Sequence, residues 1–194
     1  MLDVRHMTRR MKRMITLQYF VPSDFQQLIS WSGDEAFLLQ WAGPEFKYPL
    51  TEEQLVEYIK GANDLERSHR LIYKAIETET NQTVGHISIG RINRENRSGR
   101  IGKVLIGNKS SRGKGYGKQM MQQALRIGFE DLHLHRISLG VFDFNVSARR
   151  CYEKLGFVQE GVTRDARRYQ DSYWSLIEMS ILEDKWRNMK SLYE

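Results

Sequence analysis

Arg112-Gly113-Lys114-Gly115-Tyr116-Gly117 places three glycines and two cations between a strand-like run, Val104 to Ile106, and a helix-like run, Met120 to Phe129. Glycine adopts positive φ and carries no Cβ, so backbone amides in such a loop can approach an anion closely. The following helix adds unpaired N–H groups and the positive end of its dipole. The chemistry this spacing offers is recognition of a phosphate or diphosphate. A Walker A loop is excluded, because Arg112 and Gln119 stand where its first glycine and its magnesium-holding Ser or Thr would be. The dinucleotide fingerprint begins at Gly113 and Gly115 but meets Lys118 at its third glycine position, so it is excluded too.

A second constellation follows one helix and one strand later: Asn145-Val146-Ser147-Ala148, then Tyr152-Glu153-Lys154-Leu155-Gly156-Phe157. Ala148 and Tyr152 are four apart and share one face of a helix. Taken alone, Asn145 caps that helix and Tyr152 packs against a sheet. Taken together, the pattern Arg112-x-x-Gly115-x-Gly117 and the Asn145 to Phe157 segment resemble the GNAT superfamily of N-acetyltransferases over roughly residues 84 to 183.

That resemblance implies an α/β (α+β) GNAT fold. A mixed central sheet of about six to seven strands carries about four helices, and a parallel pair, the fourth and fifth strands, splays apart to receive acetyl-CoA. It implies main-chain contacts to the cofactor arm from Leu105, Ile106 and Gly107. Arg112, Gly113, Lys114, Gly115, Tyr116, Gly117 and Lys118 would wrap the pyrophosphate, Asn145 would touch the arm, and Tyr152 would be the general acid. The implied co-substrate is acetyl-CoA, with no metal. The implied reaction is direct transfer of acetyl to a primary amine in a ternary complex.

Such a transfer needs a neutral amine, donors for the oxyanion and a proton for the departing thiolate. An alkyl ammonium titrates near 10, so a carboxylate, a histidine or a water must remove its proton. Many GNAT relatives carry a glutamate on the fourth strand, but Ile101 to Gly107 contains no acid. Asp143, at the end of the fifth strand, is the candidate base, with Glu77, His86 and a water relay behind it. His133 and His135 have no evident third ligand and read as a solvated turn rather than a metal pair.

For the acceptor, Trp31, Glu35 and Trp41 are the candidate contacts. They lie in a stretch with Asp34, Glu45, Phe46 and Tyr48, where aromatic faces and carboxylates together attract an ammonium group. Glu160-Gly161, Arg164, Asp171 and Tyr173 resemble the subgroup holding ribosomal-protein N-terminal and spermidine acetyltransferases. A peptide or protein N-terminus, a polyamine and an aminoglycoside all stay open as acceptor. The alternative to an enzyme is a non-catalytic acyl-CoA sensor.

The elements that position these residues can be read around them. A chain of 194 residues suits one buried domain, expected over 14–194. Of the net charge of +6, residues 1–13 contribute +4 through Arg5, Arg9, Arg10, Lys12 and Arg13 against Asp3. We read that segment as a flexible basic leader rather than a nucleic-acid arm or membrane segment, with Met14 a plausible start. No apolar run approaches the roughly 20 residues needed to cross a bilayer. The lone Cys151 excludes an internal disulfide and reads as a core thiol, which with the rest predicts a cytoplasmic protein. Strands are expected at Ile15 to Phe20, Arg70 to Ile76, Thr83 to Ile92, Arg100 to Ile106, Ile137 to Val141, Phe157 to Val162 and Tyr173 to Leu182. Helices are expected after Pro22-Ser23-Asp24, after a Thr51/Gln54 capping box, from Gly117 to Leu132 and from Ser147 to Leu155. An exposed edge near the last hairpin leaves room for a homodimer.

Overall fold

The computed structural model describes residues 14–107 and 109–190, so the basic segment 1–13 lies outside the described residues. Seven strands form one sheet: β1 (Ile15–Tyr19), β2 (Leu71–Glu77), β3 (Thr83–Asn93), β4 (Ser98–Ile106), β5 (Arg136–Phe142), β6 (Val158–Tyr169) and β7 (Ser172–Leu182). Their order is β1-β2-β3-β4-β5-β7-β6. Every neighbouring pair is antiparallel except β4 and β5. β6 is one edge of the sheet, with Val158 and Val162 exposed.

The helices are α1 (Phe25–Ser30), α2 (Glu35–Ala42), α3 (Glu52–Ile59), α4 (Tyr116–Arg126), α5 (Val146–Lys154) and α6 (Glu183–Lys190). The sequence pattern predicts only four; α2 and α6 are the additions. In α2 the apolar residues Phe37, Leu38, Leu39 and Trp41 are not gathered into one stripe, so no helical period stands out. Asp34, read from sequence as an acceptor-site carboxylate, instead caps α2 by accepting from the Phe37 amide at 2.8 Å. α4 ends in one π-helical turn, Ile127–Asp131, where the sequence reads as continuous helix. Thr51 caps α3 as expected, but the Gln54 side chain does not close a capping box. It bonds Lys47 and Pro49 and braces the preceding loop.

Strand alternation divides the core into two layers. Leu71, Tyr73 and Ala75 face Tyr116, Met120, Met121, Ala124 and Leu125 of α4 together with Tyr152 and Leu155. Ile72 and Leu105 belong to the opposite layer with Phe25, Leu28, Leu38 and Leu55 from α1 to α3. α4 is also tied to the edge strand, because Gln119 and Gln123 accept from the amides of Ile15 and Leu17 at 3.2 and 3.1 Å. The helix that follows the glycine loop is thereby fixed against the sheet through two successive turns.

Candidate active site

β4 and β5 pair only at Ser98 with Arg136, Gly99 with Ile137 and Arg100 with Ser138. Beyond Arg100 they part, while each stays bonded to its outer neighbour: β4 to β3 as far as Ile106, and β5 to β7 as far as Phe142. The outer pairings hold the gap open. Arg100, the last paired residue of β4, reaches over Gly140 to a two-pronged ion pair with Glu178 of β7, at 2.7 and 3.1 Å. It ties three strands together where the split begins. Gly107 donates to the Val84 carbonyl at 3.0 Å. Backbone alternation therefore turns Leu105 to β3 as well, and leaves the N–H and C=O of Val104 and Ile106 facing the gap.

A cavity of about 800 Å³ fills the gap and reaches the loop before α4. Gly113 and Gly115 take φ of 75° and 82°, a left-handed backbone that suits glycine. The N-cap residue of α4, Gly115, has no side chain to cap the helix, and the Gln119 amide bonds its carbonyl at 3.1 Å. The amides of Tyr116, Gly117 and Lys118 precede that bond and form the positive end of the helix. Arg112, Gly113, Gly115, Tyr116, Gly117 and Lys118 all line the cavity. The Arg112 guanidinium lies 5.4 Å from the Phe37 ring centre.

Three of the residues assigned to the cofactor sit differently from expectation. Lys114 is exposed and does not line the cavity. Tyr116 contributes backbone only, since its side chain is buried and its hydroxyl donates to Glu77. Gly107 is covered by Trp31: a Cβ there would lie 1.9 Å from the indole. Leu105 and Ile106 do line the cavity.

α5 begins directly after β5. Asn145 caps it by accepting from the Ala148 amide at 3.3 Å, and both residues face the cavity. Two turns on, Tyr152 is 9% exposed and faces the same space. Burial, reinforced by the neighbouring Cys151, pushes its phenol well above the ordinary tyrosine range, so it stays protonated at neutral pH. Cys151, read from sequence as core, is half-buried and also lines the cavity. Burial raises its thiol too, which disfavours the nucleophilic thiolate.

A second cavity of about 450 Å³ opens from the split and shares Gln40, Trp41, Gly102, Lys103, Gly140 and Phe142 with the first. Of the acceptor candidates only Trp41 lines it; Trp31 and Glu35 do not. Phe46 is core, and Tyr48 is 53% exposed. Glu45 does line it, but not as a free carboxylate, because it accepts from Lys103 and from Arg70, the latter at 2.7 Å. Burial alone would raise the Glu45 carboxyl, but these two cations outweigh it and hold it below the ordinary range. Lys103 was invisible as a site residue in sequence. It occupies a bulge of β4 with φ of 51°, beneath the Phe46 and Tyr58 rings.

The expected base does not reach this region. Asp143 is exposed, lines neither cavity, and its carboxylate accepts from the Phe144 amide at 2.9 Å. Glu77 is engaged by Tyr116 and Thr80 behind α4. His86 is 1% exposed among Phe20, Trp41 and Tyr58. Burial, with the field of Lys103, lowers its pKa to about 3. In the unfolded chain histidine takes a proton near pH 6.5, before the folded protein does, so folding stability falls as pH drops from there toward 3. We expect denaturant titrations to show a loss of up to about 1.4 kcal/mol per pH unit across that window, missing from His86→Leu.

Among the described residues no three His, Cys, Asp or Glu side chains converge as a metal site, and His135 lies 3.8 Å from Glu183. No described helix is long and apolar enough to cross a membrane.

Comparison with known proteins agrees with this geometry. A family model described as acetyltransferase (GNAT) domain matches residues 14–158. The SPbeta prophage-derived uncharacterized N-acetyltransferase YokL of Bacillus subtilis is 31% identical over 150 residues, 77% of this chain and 79% of its own. Spermidine N(1)-acetyltransferase of Vibrio cholerae is 30% identical over 113 residues, 58% of this chain and 64% of its own. The crystal structure of a Vibrio cholerae spermidine N-acetyltransferase with CoA and spermine superposes with a TM-score of 0.77 at 23% identity, covering 90% of this chain and 99% of that one.

Proposed function

The chain belongs to the acetyltransferase (GNAT) family, and from that premise we propose that it moves acetyl from acetyl-CoA directly to a primary amine held in the second cavity. The observation that carries this reading is the meeting of the two cavities at the split, where they share Gly102, Lys103, Gly140 and Phe142. The diphosphate rests on the amides of Tyr116, Gly117 and Lys118, with Arg112 and Lys118 beside it. The amide-bearing arm of the cofactor runs between β4 and β5 against the free backbone of Val104 and Ile106. This aims the thioester carbonyl at the shared wall. That the Vibrio cholerae structure of the same fold is a complex with CoA supports coenzyme A as the ligand.

The amine nitrogen attacks the thioester carbon, forming the C–N bond, and β4 N–H groups facing the gap receive the oxyanion. The C–S bond then breaks, and Tyr152 gives its proton to the thiolate sulfur. With Glu45 neutralised by Lys103 and Arg70, water carries the amine proton to solvent, and a proton from solvent restores Tyr152. Initial rates of thiol release, measured with both substrates varied, are expected to give intersecting double-reciprocal lines, the pattern of a ternary complex. Parallel lines would point to a covalent acetyl-enzyme at Cys151. Tight acetyl-CoA binding without thiol release to any amine would make the protein a sensor.

A further inference from the structure

The charge lining the acceptor cavity is the reverse of what an ammonium-rich substrate needs. Five cations, Arg70, Arg91, Arg100, Lys103 and Arg167, face it, with Glu45 the one carboxylate among its described lining residues. Glu178 engages Arg100 from β7, and Glu45 is divided between Arg70 and Lys103. Among the described residues neither Arg91 nor Arg167 meets a carboxylate; the Arg167 guanidinium donates to the carbonyl of its neighbour Ala166 at 2.5 Å. Arg91 and Arg167 thus stand at the cavity without a counter-ion, and five cations against Glu45 and Glu178 leave a net charge of +3. Trp41 and Phe142 give it apolar walls.

Resting on the acetyl-transfer reading, we infer that the acceptor amine carries an anionic group, a carboxylate or a phosphate, which Arg91 and Arg167 hold while the amine reaches the split. Guanidinium groups suit both anions, since their planar donors match two oxygens at once. The placement has a mechanistic consequence. Cations around the amine lower the pKa of its ammonium form and favour the neutral nucleophile without a resident base. A polyamine brings its second ammonium toward Arg91 and Arg167, where like charges repel, most strongly at low salt because Arg91 is exposed and Arg167 partly so. The carboxylates and aromatics near residues 31 to 48 suggested attraction of a cation; their folded positions reverse that reading, because Asp34 caps α2 and Glu45 is occupied.

The test is thiol release from acetyl-CoA by the full chain, across matched amines that share one chain length and end in carboxylate, phosphate, methyl or ammonium. Amino acids and dipeptides with acidic or basic side chains extend the panel. We expect kcat/KM for a carboxylate- or phosphate-bearing amine to exceed that of the matched diamine by about 100-fold or more, and the better of the two anions names the source. In Arg91→Gln/Arg167→Gln that preference is expected to fall at least tenfold, through KM, with acetyl-CoA affinity unchanged. Equal or better turnover of diamines, or a preference unmoved in the double variant, overturns the inference and leaves the transferase reading standing. Bound CoA with no thiol release from any amine overturns the transferase reading, and this inference with it.

Discussion

Tyr152→Phe is expected to bind acetyl-CoA within about twofold of the unaltered chain and to lose 10²- to 10³-fold in kcat, the order expected when a positioned general acid is removed. The phenol is 9% exposed at the cavity wall, so removing one oxygen leaves the packing of the ring against Phe157 intact. The loss should therefore fall on kcat rather than on KM for the cofactor. Burial keeps the hydroxyl protonated above the ordinary tyrosine range, so the unaltered enzyme should show no fall in kcat from this group below about pH 10. Stopped-flow or steady-state thiol assays over pH 6 to 10 give both readings. Undiminished kcat in the variant would remove Tyr152 from the mechanism and leave water as the acid.

Gly115→Val should weaken acetyl-CoA about 100-fold, equivalent to about 2.7 kcal/mol. Gly115 holds φ of 82°, and a β-branched residue in that region costs on the order of 1–3 kcal/mol. The loop can relieve that strain only by rotating the amides at the start of α4 away from the ligand. A Cβ at Gly115 meets nothing within 4 Å, so the substitution strains the loop without a clash, and the melting temperature should fall only by about 2–4 °C for each kcal/mol of strain the loop does not relieve. Direct titration with acetyl-CoA and with S-acetylpantetheine, which lacks the 3′-phospho-ADP and the diphosphate with it, separates the effects. Only the first ligand should lose affinity.

The contrast between these residues and the acceptor side explains what the sequence made legible. A glycine-rich loop and a helix start are local: glycine spacing and a following amphipathic run specify them within a dozen residues, and Gly113, Gly115 and Gly117 lie at one wall of the cavity. The strand alternation from Ile15 to Leu182 was readable for the same reason, since its period is set by the pleat. Tyr152 and Asn145 were legible through the resemblance, and both line the cleft. The second cavity is assembled instead from residues far apart in the chain: Glu45 before α3, Arg70 before β2, Arg91 on β3, Lys103 on β4 and Arg167 on β6. No short-range pattern joins them. The Lys103 bulge arises from one extra residue in β4 against β3, which hydrophobic period alone does not mark. Asp143 failed as a base because strand direction told where β5 ends but not which way the next residue points.

The most direct measurement is calorimetric titration of the unaltered chain with acetyl-CoA and, separately, with S-acetylpantetheine. One saturable site for acetyl-CoA, and affinity for the truncated thioester lower by about 100-fold, with that gap closing in Gly115→Val, is the result expected if the amides at the start of α4 grip the diphosphate. Equal affinity for both, or no binding of acetyl-CoA by folded protein, would contradict it.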